Sequence, residues 1–274
     1  RRHAAKRLKR EINLMVEIIN AAKQKLEAGE LAIGVGLRMT RVVEIGKMMK
    51  TAGYDWLFID MEHNSMSIDD AAQISVAAQS AGITPIVRVP GFQHFHASRA
   101  LDTGAQGIVI PHVDDIQTAK KMVENVKYPP VGKRSITGSL PQLDFVPTPV
   151  DEATKAINDA TLLIVMLETE EAVENAEAMA ALDGIDALLF GTSDLTIEMW
   201  IPGQMGHPRV VKHYETAAAA CKKHGKFLGM GGIYDPAVMK DYVAMGAQLI
   251  LAGNDFPFLM KAAKEQAEIV RGMG

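Results

Sequence analysis

One cysteine in 274 residues, Cys221, leaves no second thiol for an intramolecular disulfide, and a reducing compartment, the cytoplasm, is the expected setting. Its stretch, Ala217–His224, has a helical pattern, and Lys222 and Lys223 are the only activating neighbours, so the thiol reads as a half-buried helix residue rather than a nucleophile. Long apolar runs are missing as well: nothing approaches the roughly 20 residues needed to cross a bilayer, and no membrane partner is expected. Nor is there an excess of positive charge. With 29 Lys and Arg against 33 Asp and Glu, net −4, the molecule offers no broad basic surface for nucleic acid. The local exception is the N-terminus, where Arg1, Arg2, Lys6, Arg7, Lys9, Arg10, Lys23 and Lys25 face only Glu11, Glu17 and Glu27. The acidic residues, and the lack of an apolar segment or a small-residue cleavage site, argue against a targeting peptide, so residues 1–18 read as a solvated basic extension.

A dinucleotide fingerprint is also lacking. Gly34-Val-Gly36 has no third glycine and no helix start after it, and Gly229-Met-Gly231-Gly232 has no acidic partner downstream. What the chain does have is an eightfold alternation of short apolar runs with longer amphipathic stretches. The runs are Ile33–Leu37, Trp56–Asp60, Pro85–Val89, Gly107–Pro111, Leu162–Glu168, Ala187–Gly191, Phe227–Met230 and Gln248–Gly253. Their near-continuous Val, Ile and Leu content suits parallel strands covered on both faces. Gly53, Gly82, Gly225 and Gly246 stand where a helix ends and the chain turns into the next run, positions that call for a left-handed residue. Eight such units in one chain of this length predict a single α/β domain, a (β/α)8 TIM barrel spanning residues 19–274. One connection, Tyr128–Thr161, is read as irregular, with Pro129, Pro130, Pro141, Pro147 and Pro149 in it, and a loop that long is usually functional or interfacial.

In a barrel the reacting groups sit where strands end at the C-terminal face. Here those ends are polar: Asp60-Met61-Glu62-His63 after the second run, Arg88 in the third, Glu168 in the fifth, and Thr192-Ser193-Asp194 after the sixth. Glu168 and Asp194 come from consecutive strands, about 5 Å apart laterally by ordinary sheet spacing. Each alone reads equally well as an ion-pair or helix-capping residue. Together they suit two hard oxygen ligands on one small divalent cation, leaving coordination positions for a chelating 2-oxo acid. His63 supplies a near-neutral base beside such a site, and Asp102, just before the fourth run, is a candidate to orient it. Arg88 has two readings: a structural cation for Asp60 or Glu62, or a fork stabilising an enolate oxygen. A Schiff-base aldolase is disfavoured because no Lys closes a predicted strand.

These motifs in this order resemble the HpcH/HpaI family of class II, metal-dependent pyruvate aldolases. The resemblance runs from about Ala21 to the C-terminus, through Tyr54-Asp-Trp-Leu-Phe-Ile-Asp60-Met-Glu-His63, Pro85-Ile-Val-Arg88-Val, Leu101-Asp102-Thr-Gly-Ala-Gln-Gly-Ile-Val-Ile-Pro111, Tyr128-Pro-Pro-Val-Gly-Lys-Arg134, Glu168 and Gly191-Thr-Ser-Asp194-Leu. It implies that Glu168 and Asp194 hold Mg²⁺, Mn²⁺ or Co²⁺ and that Arg88 stabilises the pyruvate enolate. It implies further that His63 with Asp102 acts as base or activates a water, and that the backbone at Ser193 and Asp194 receives the pyruvate carboxylate. The expected reaction is cleavage or formation of a 4-hydroxy-2-oxo acid from pyruvate and an aldehyde. A homo-oligomer is implied too, a hexamer built as a trimer of dimers exchanging the last helix, about Phe256–Gly272.

Two departures from the family pattern are Gly34, where a Trp is common, and Met166, where a Gln is common; both bear on pocket shape. Arg38 and Arg41, just after the first run, offer an anchor for an anionic aldehyde or other acceptor. Rival readings are a related enolate-forming lyase, either a decarboxylase–cyclase resembling macrophomate synthase or an acyl-CoA lyase resembling the citrate lyase β subunit, and a non-catalytic scaffold that binds 2-oxo acids.

Overall fold

A computed structural model describes residues 18–274, so the basic extension expected over residues 1–18 lies outside the described residues except for Ile18. All eight apolar runs form strands: β1 (Ala32–Leu37), β2 (Trp56–Asp60), β3 (Thr84–Arg88), β4 (Gly107–Ile110), β5 (Leu162–Leu167), β6 (Ala187–Gly191), β7 (Phe227–Gly231) and β8 (Ala247–Asn254). They close in sequence order into a parallel barrel, with β8 pairing back onto β1. The architecture is the expected (β/α)8 barrel, with twelve α-helices among the described residues.

The helices are α1 (Ala21–Glu27), α2 (Ile45–Thr51), α3 (Ile68–Ser80), α4 (His94–Asp102), α5 (Ile116–Val126) and α6 (Val150–Ala160). There follow α7 (Glu170–Glu174), α8 (Ala176–Ala180), α9 (Thr192–Glu198), α10 (Pro208–His224), α11 (Pro236–Ala244) and α12 (Asp255–Arg271). At the junctions into the next strand, Gly53, Gly82, Gly225 and Gly246 have φ of 95°, 70°, 64° and 112°, the left-handed backbone that their place in the sequence called for. The connection after Tyr128 is more regular than expected. Its second half is α6, which buries Ala153 and Ile157, two residues one helical turn apart. The prolines end at Pro149, which sits at the helix N-cap and leaves Val150–Ala160 free to follow its 3.6-residue period.

The twofold period of the strands sorts their side chains into two cores. Leu57, Ile59, Val87, Ile108, Ile110, Leu163, Val165, Leu188 and Phe190 face outward and pack with the helices. Trp56, Phe58, Ile86, Val109, Ile164, Met166, Leu189 and Leu251 fill the interior. This alternation positions the site. Continuing the inward series by two residues reaches Asp60 after Phe58, Arg88 after Ile86 and Glu168 after Met166, so three polar groups top the interior columns at one end of the barrel.

The other end is closed by α1. The Asn20 side-chain amide donates to the Gln106 and Ala160 carbonyls, and its oxygen accepts from Lys23 N–H and the Thr84 hydroxyl. Beside it Asp186 accepts from Lys127 Nζ at 2.9 Å and the Leu163 N–H at 2.8 Å, with Lys23 Nζ at 3.3 Å. Burial opposes the Asp186 charge, but the two ammonium groups outweigh it and hold the carboxyl below the usual range. At the far end of the chain α12 has no buried residue, and Phe256, Phe258, Leu259, Met260, Ile269 and Val270 are all exposed.

Candidate active site

Asp60 and Arg88 pair side by side because β2 and β3 are in register at these two residues. Arg88 Nε donates to Asp60 Oδ1 at 3.0 Å and Nη2 to Oδ2 at 2.7 Å, a two-point fork within the barrel mouth. Asp60 also accepts from the backbone N–H groups of Glu62 and His63. Burial alone would raise its pKa; Arg88 and these donors more than offset that and keep it a carboxylate. The third corner of the guanidinium, Nη1, lies 2.9 Å from Glu62 Oε2 and 3.9 Å from the Met166 sulfur, while the plane rests over the Phe58 ring at 5.0 Å. Arg88 is thus a structural partner of Asp60 and Glu62, the first of the two readings the sequence left open, and it lines the cavity as well.

Glu168 is 2% exposed. Its Oε2 accepts from the His112 backbone N–H at 2.8 Å, and Oε1 has no hydrogen-bond partner among the described residues. Burial, with the nearby charges of Asp194 and Glu62, pushes its carboxyl above the usual range, against the pull of His112. An unpartnered carboxylate oxygen in this setting costs free energy unless a cation meets it. Space for the carboxylate depends on Gly191, where a Cβ would lie 2.6 Å from Oε1. Asp194 stands in the first turn of α9, exposed, within electrostatic reach of Glu168. Next to it the Ser193 N–H is left open by Gly232, whose missing Cβ would come within 3.1 Å of that nitrogen. Two hard oxygen donors, one of them orphaned, fit a divalent cation that keeps open positions for substrate. Among the described residues no group of three or more His, Cys, Asp or Glu forms a metal cluster, so a cation held here would rest on a sparse protein ligand set.

Asp60, Arg88, Ser193 and Asp194 line one cavity of about 410 Å³, bordered also by Arg38, His63, Met166, Tyr234 and Asn254, and Glu168 meets its wall at Gly191. His63 is half exposed, its Nε2 3.7 Å from Glu62 Oε2. Gly34 does not border the cavity: a Cβ there would lie 2.1 Å from the Trp56 indole, which already fills that space. Of the two departures noted in the sequence, only Met166 shapes the pocket.

Asp102 is not brought to this site. It is the last residue of α4, five positions ahead of β4, and so belongs to the opposite face of the barrel from His63, which follows the end of β2. Its carboxylate pairs with Arg134 Nη2 at 2.5 Å and borders a separate outer groove of about 760 Å³ between α3, α4 and the segment 137–145. Within one chain it does not orient His63. Conversely, sequence reading missed His112. Its ring bridges two acids, Nε2 to Glu62 Oε1 at 2.9 Å and Nδ1 to Glu168 Oε2 at 3.3 Å, and the backbone turns there with φ of 54°. The available signal was its position directly after the fourth strand, behind Pro111. The thiol of Cys221 is buried, its pKa pushed up to about 12 chiefly by burial, as befits a packed helix residue.

The family model for HpcH/HpaI aldolase/citrate lyase matches residues 14–261. The chain belongs to that family. Among its HpcH/HpaI relatives, a 4-hydroxy-4-methyl-2-oxoglutarate aldolase of Hapsidospora irregularis is 35% identical, covering 93% of this chain and 96% of its own. A 2-keto-3-deoxy-L-rhamnonate aldolase of Salmonella gallinarum is 30% identical, over 86% of this chain and 87% of its own. The crystal structure of an HpcH/HpaI aldolase from Desulfitobacterium hafniense superposes with a TM-score of 0.87 at 31% identity, covering 92% of this chain and 97% of that one. Like these HpcH/HpaI aldolases, the chain is a carbon–carbon lyase. No helix among the described residues is long and apolar enough to cross a membrane.

Proposed function

We propose that the protein is a class II aldolase that cleaves a 4-hydroxy-2-oxo acid to pyruvate and a carbonyl compound, and runs the condensation in reverse. Glu168 and Asp194 would hold the divalent cation, Mg²⁺, Mn²⁺ or Co²⁺. When bound, it acts as a Lewis acid on the 2-oxo group and lowers the barrier to enolisation. The observation that carries this reading is Glu168 Oε1, buried and unpartnered beside a second carboxylate.

The remaining steps belong to the side chains. Asp60 holds two of the Arg88 nitrogens and Glu62 lies 2.9 Å from the third, so the guanidinium is a fixed positive charge at the cavity wall for the oxygen that becomes negative in the enolate. His63 lines the same cavity with an imidazole that has no hydrogen-bond partner among the described residues, suited to move the C3 proton directly or through a water. The Ser193 N–H, uncovered by Gly232 at the start of α9, would receive the pyruvate carboxylate together with the Asp194 N–H beside it.

The test needs no knowledge of the second substrate. With Mg²⁺ or Mn²⁺ present and no aldehyde added, the enzyme should exchange the methyl protons of pyruvate with D₂O, and EDTA should stop it. Binding of metal and pyruvate without exchange above the buffer rate would overturn the aldolase reading in favour of a scaffold or an acyl-CoA lyase.

The protein is read as a homo-oligomer, a hexamer exchanging α12 within dimers, because a 17-residue helix with six exposed large apolar side chains and no buried residue needs a surface to pack on. A cytoplasmic setting is supported by the single, buried, unpaired Cys221.

A further inference from the structure

The cavity has a second cation that the enolisation chemistry does not use. Arg38 follows β1, which lies diametrically across the eight-stranded barrel from β5 and Glu168, and its side chain borders the cavity. The segment carrying it is fixed: the N–H groups of Arg38, Met39 and Thr40 all donate to the Asp255 carboxylate, at 3.0, 3.0 and 2.7 Å. Arg41, three residues on, is engaged elsewhere. Its Nη1 donates to the carbonyls of Arg38 and Thr40, its Nη2 to Asn64, and its Nε lies 3.9 Å from Asp70.

The Arg38 side chain, by contrast, is 46% exposed and its guanidinium makes no hydrogen bond to another described residue. Its one ionic neighbour among the described residues is Asp60, Nε to Oδ2 at 3.5 Å. That carboxylate is already satisfied by the Arg88 fork and two backbone N–H groups, so Asp60 holds Arg38 in place without consuming its donors. On the same side of the mouth, Asn254 Nδ2 donates to the Tyr234 hydroxyl at 2.9 Å, which leaves the Tyr234 proton available to donate into the cavity both residues line. Gly36 makes room for this pair, since a Cβ there would lie 2.0 Å from Asn254 Oδ1. A planar fork of free N–H groups with a phenol donor near it is a carboxylate-binding arrangement.

We propose that Arg38 selects the second substrate by binding the carboxylate of an anionic acceptor, an oxo acid rather than a neutral aldehyde. This rests on the aldolase reading above. In the condensation, the electron pair of the pyruvate enolate at C3 forms the new bond to the acceptor carbonyl carbon. The carbonyl π pair goes to its oxygen, which takes up one proton, and nothing is oxidised or reduced. The product is a 4-hydroxy-2-oxo acid with a carboxylate at each end, and cleavage is the same step reversed. Arg88 and Arg38 would then divide the work: one beside the reacting oxygen of the donor, the other on the far carboxylate of the acceptor.

Glyoxylate and acetaldehyde, two-carbon acceptors with and without a carboxylate, are the probes. Condensation with pyruvate is followed for each in the wild type, Arg38→Gln and Arg38→Lys, and pyruvate deuterium exchange is measured on the same preparations. The intrinsic reactivity of the two aldehydes cancels when the ratio of their kcat/KM values is compared between proteins. The glyoxylate-to-acetaldehyde ratio should fall about ten-fold or more in Arg38→Gln, and by less in Arg38→Lys, which keeps the charge and loses the fork. An unchanged ratio, or both acceptors and the exchange reaction slowed alike, would overturn the proposal and make Arg38 a structural or donor-side residue. Absence of exchange in the wild type would instead overturn the aldolase reading, and the proposal with it.

Discussion

Asp60 shows how a single residue can set the geometry of others. Its carboxylate fixes Arg88 by two hydrogen bonds and steadies Arg38 by charge, and it stays ionised because those partners outweigh its burial. Replacing Arg88 by Lys removes the fork that Asp60 holds, so kcat should drop by about 100-fold or more with metal affinity little changed, by analogy with the loss of one oxyanion donor. Steady-state kinetics beside a metal titration would show this, and an unchanged kcat would make Arg88 purely structural. Glu168→Gln or Asp194→Asn should abolish metal-dependent deuterium exchange while leaving the circular dichroism spectrum intact, because each removes one of two proposed oxygen ligands. Wild-type rates in metal-buffered assays would remove these residues from the cation site. The positions of Asp60, Arg88 and Glu168 were legible in the sequence because a barrel strand exposes its last inward residue at the reacting end, and that of His63 because it follows β2 at the same end. Asp102 stands apart from these residues within one chain because it precedes its strand rather than following it. His112 went unseen because its contacts depend on a left-handed backbone turn that no residue pattern announces.

Elements show a different balance of what sequence carries. The eight strands and the glycines that precede four of them follow from apolar runs and helix ends, which are local signals. The link between the first strand and the last helix is not local: Asp255, at the start of α12, ties down the residues after β1 across more than 200 positions of chain. Burial opposes the Asp255 charge, but three backbone N–H donors hold its pKa below the usual range. The stability this latch supplies is therefore complete above the unfolded carboxylate pKa, about 3.9, and is lost as pH falls through the lower folded value. Acceptor kinetics should accordingly show no titration of the latch between about pH 5 and 8. Asp255→Asn, which weakens all three contacts, should raise the acceptor KM more than it slows pyruvate exchange; equal effects on both would mean the loop does not govern the acceptor alone. At the closed end of the barrel the test is of stability. Asp186→Ala would strand the buried Lys127 ammonium, and the loss should be about 3–5 kcal/mol by denaturant titration. A loss below about 1 kcal/mol would show that Lys127 finds water or another partner.

At the scale of the whole molecule, the barrel has packed layers of its own and its last helix has no buried residue. The interior and the helix-facing layer are both packed, yet α12 leaves the barrel edge with no residue buried, carrying Phe256, Phe258, Leu259, Met260, Ile269 and Val270 in the open. The same helix starts at Asp255, which latches the Arg38 loop, and its third residue, Pro257, borders the active-site cavity. Assembly through α12 would therefore act on the site through its first turn. If α12 packs on another copy, Leu259→Asp together with Ile269→Asp should lower the mass seen by light scattering to smaller species, because two charges would have to be desolvated in an apolar contact. The monomeric barrel should keep its helical signal, since neither side chain contributes to its core. Pyruvate exchange should survive better than condensation with glyoxylate, because Glu168, Asp194 and Arg88 are held by strands and by α9, whereas Arg38 depends on the root of the released helix. An unchanged mass would show that α12 is not the contact between copies, and loss of exchange together with condensation would show that assembly supports the metal end of the cavity as well.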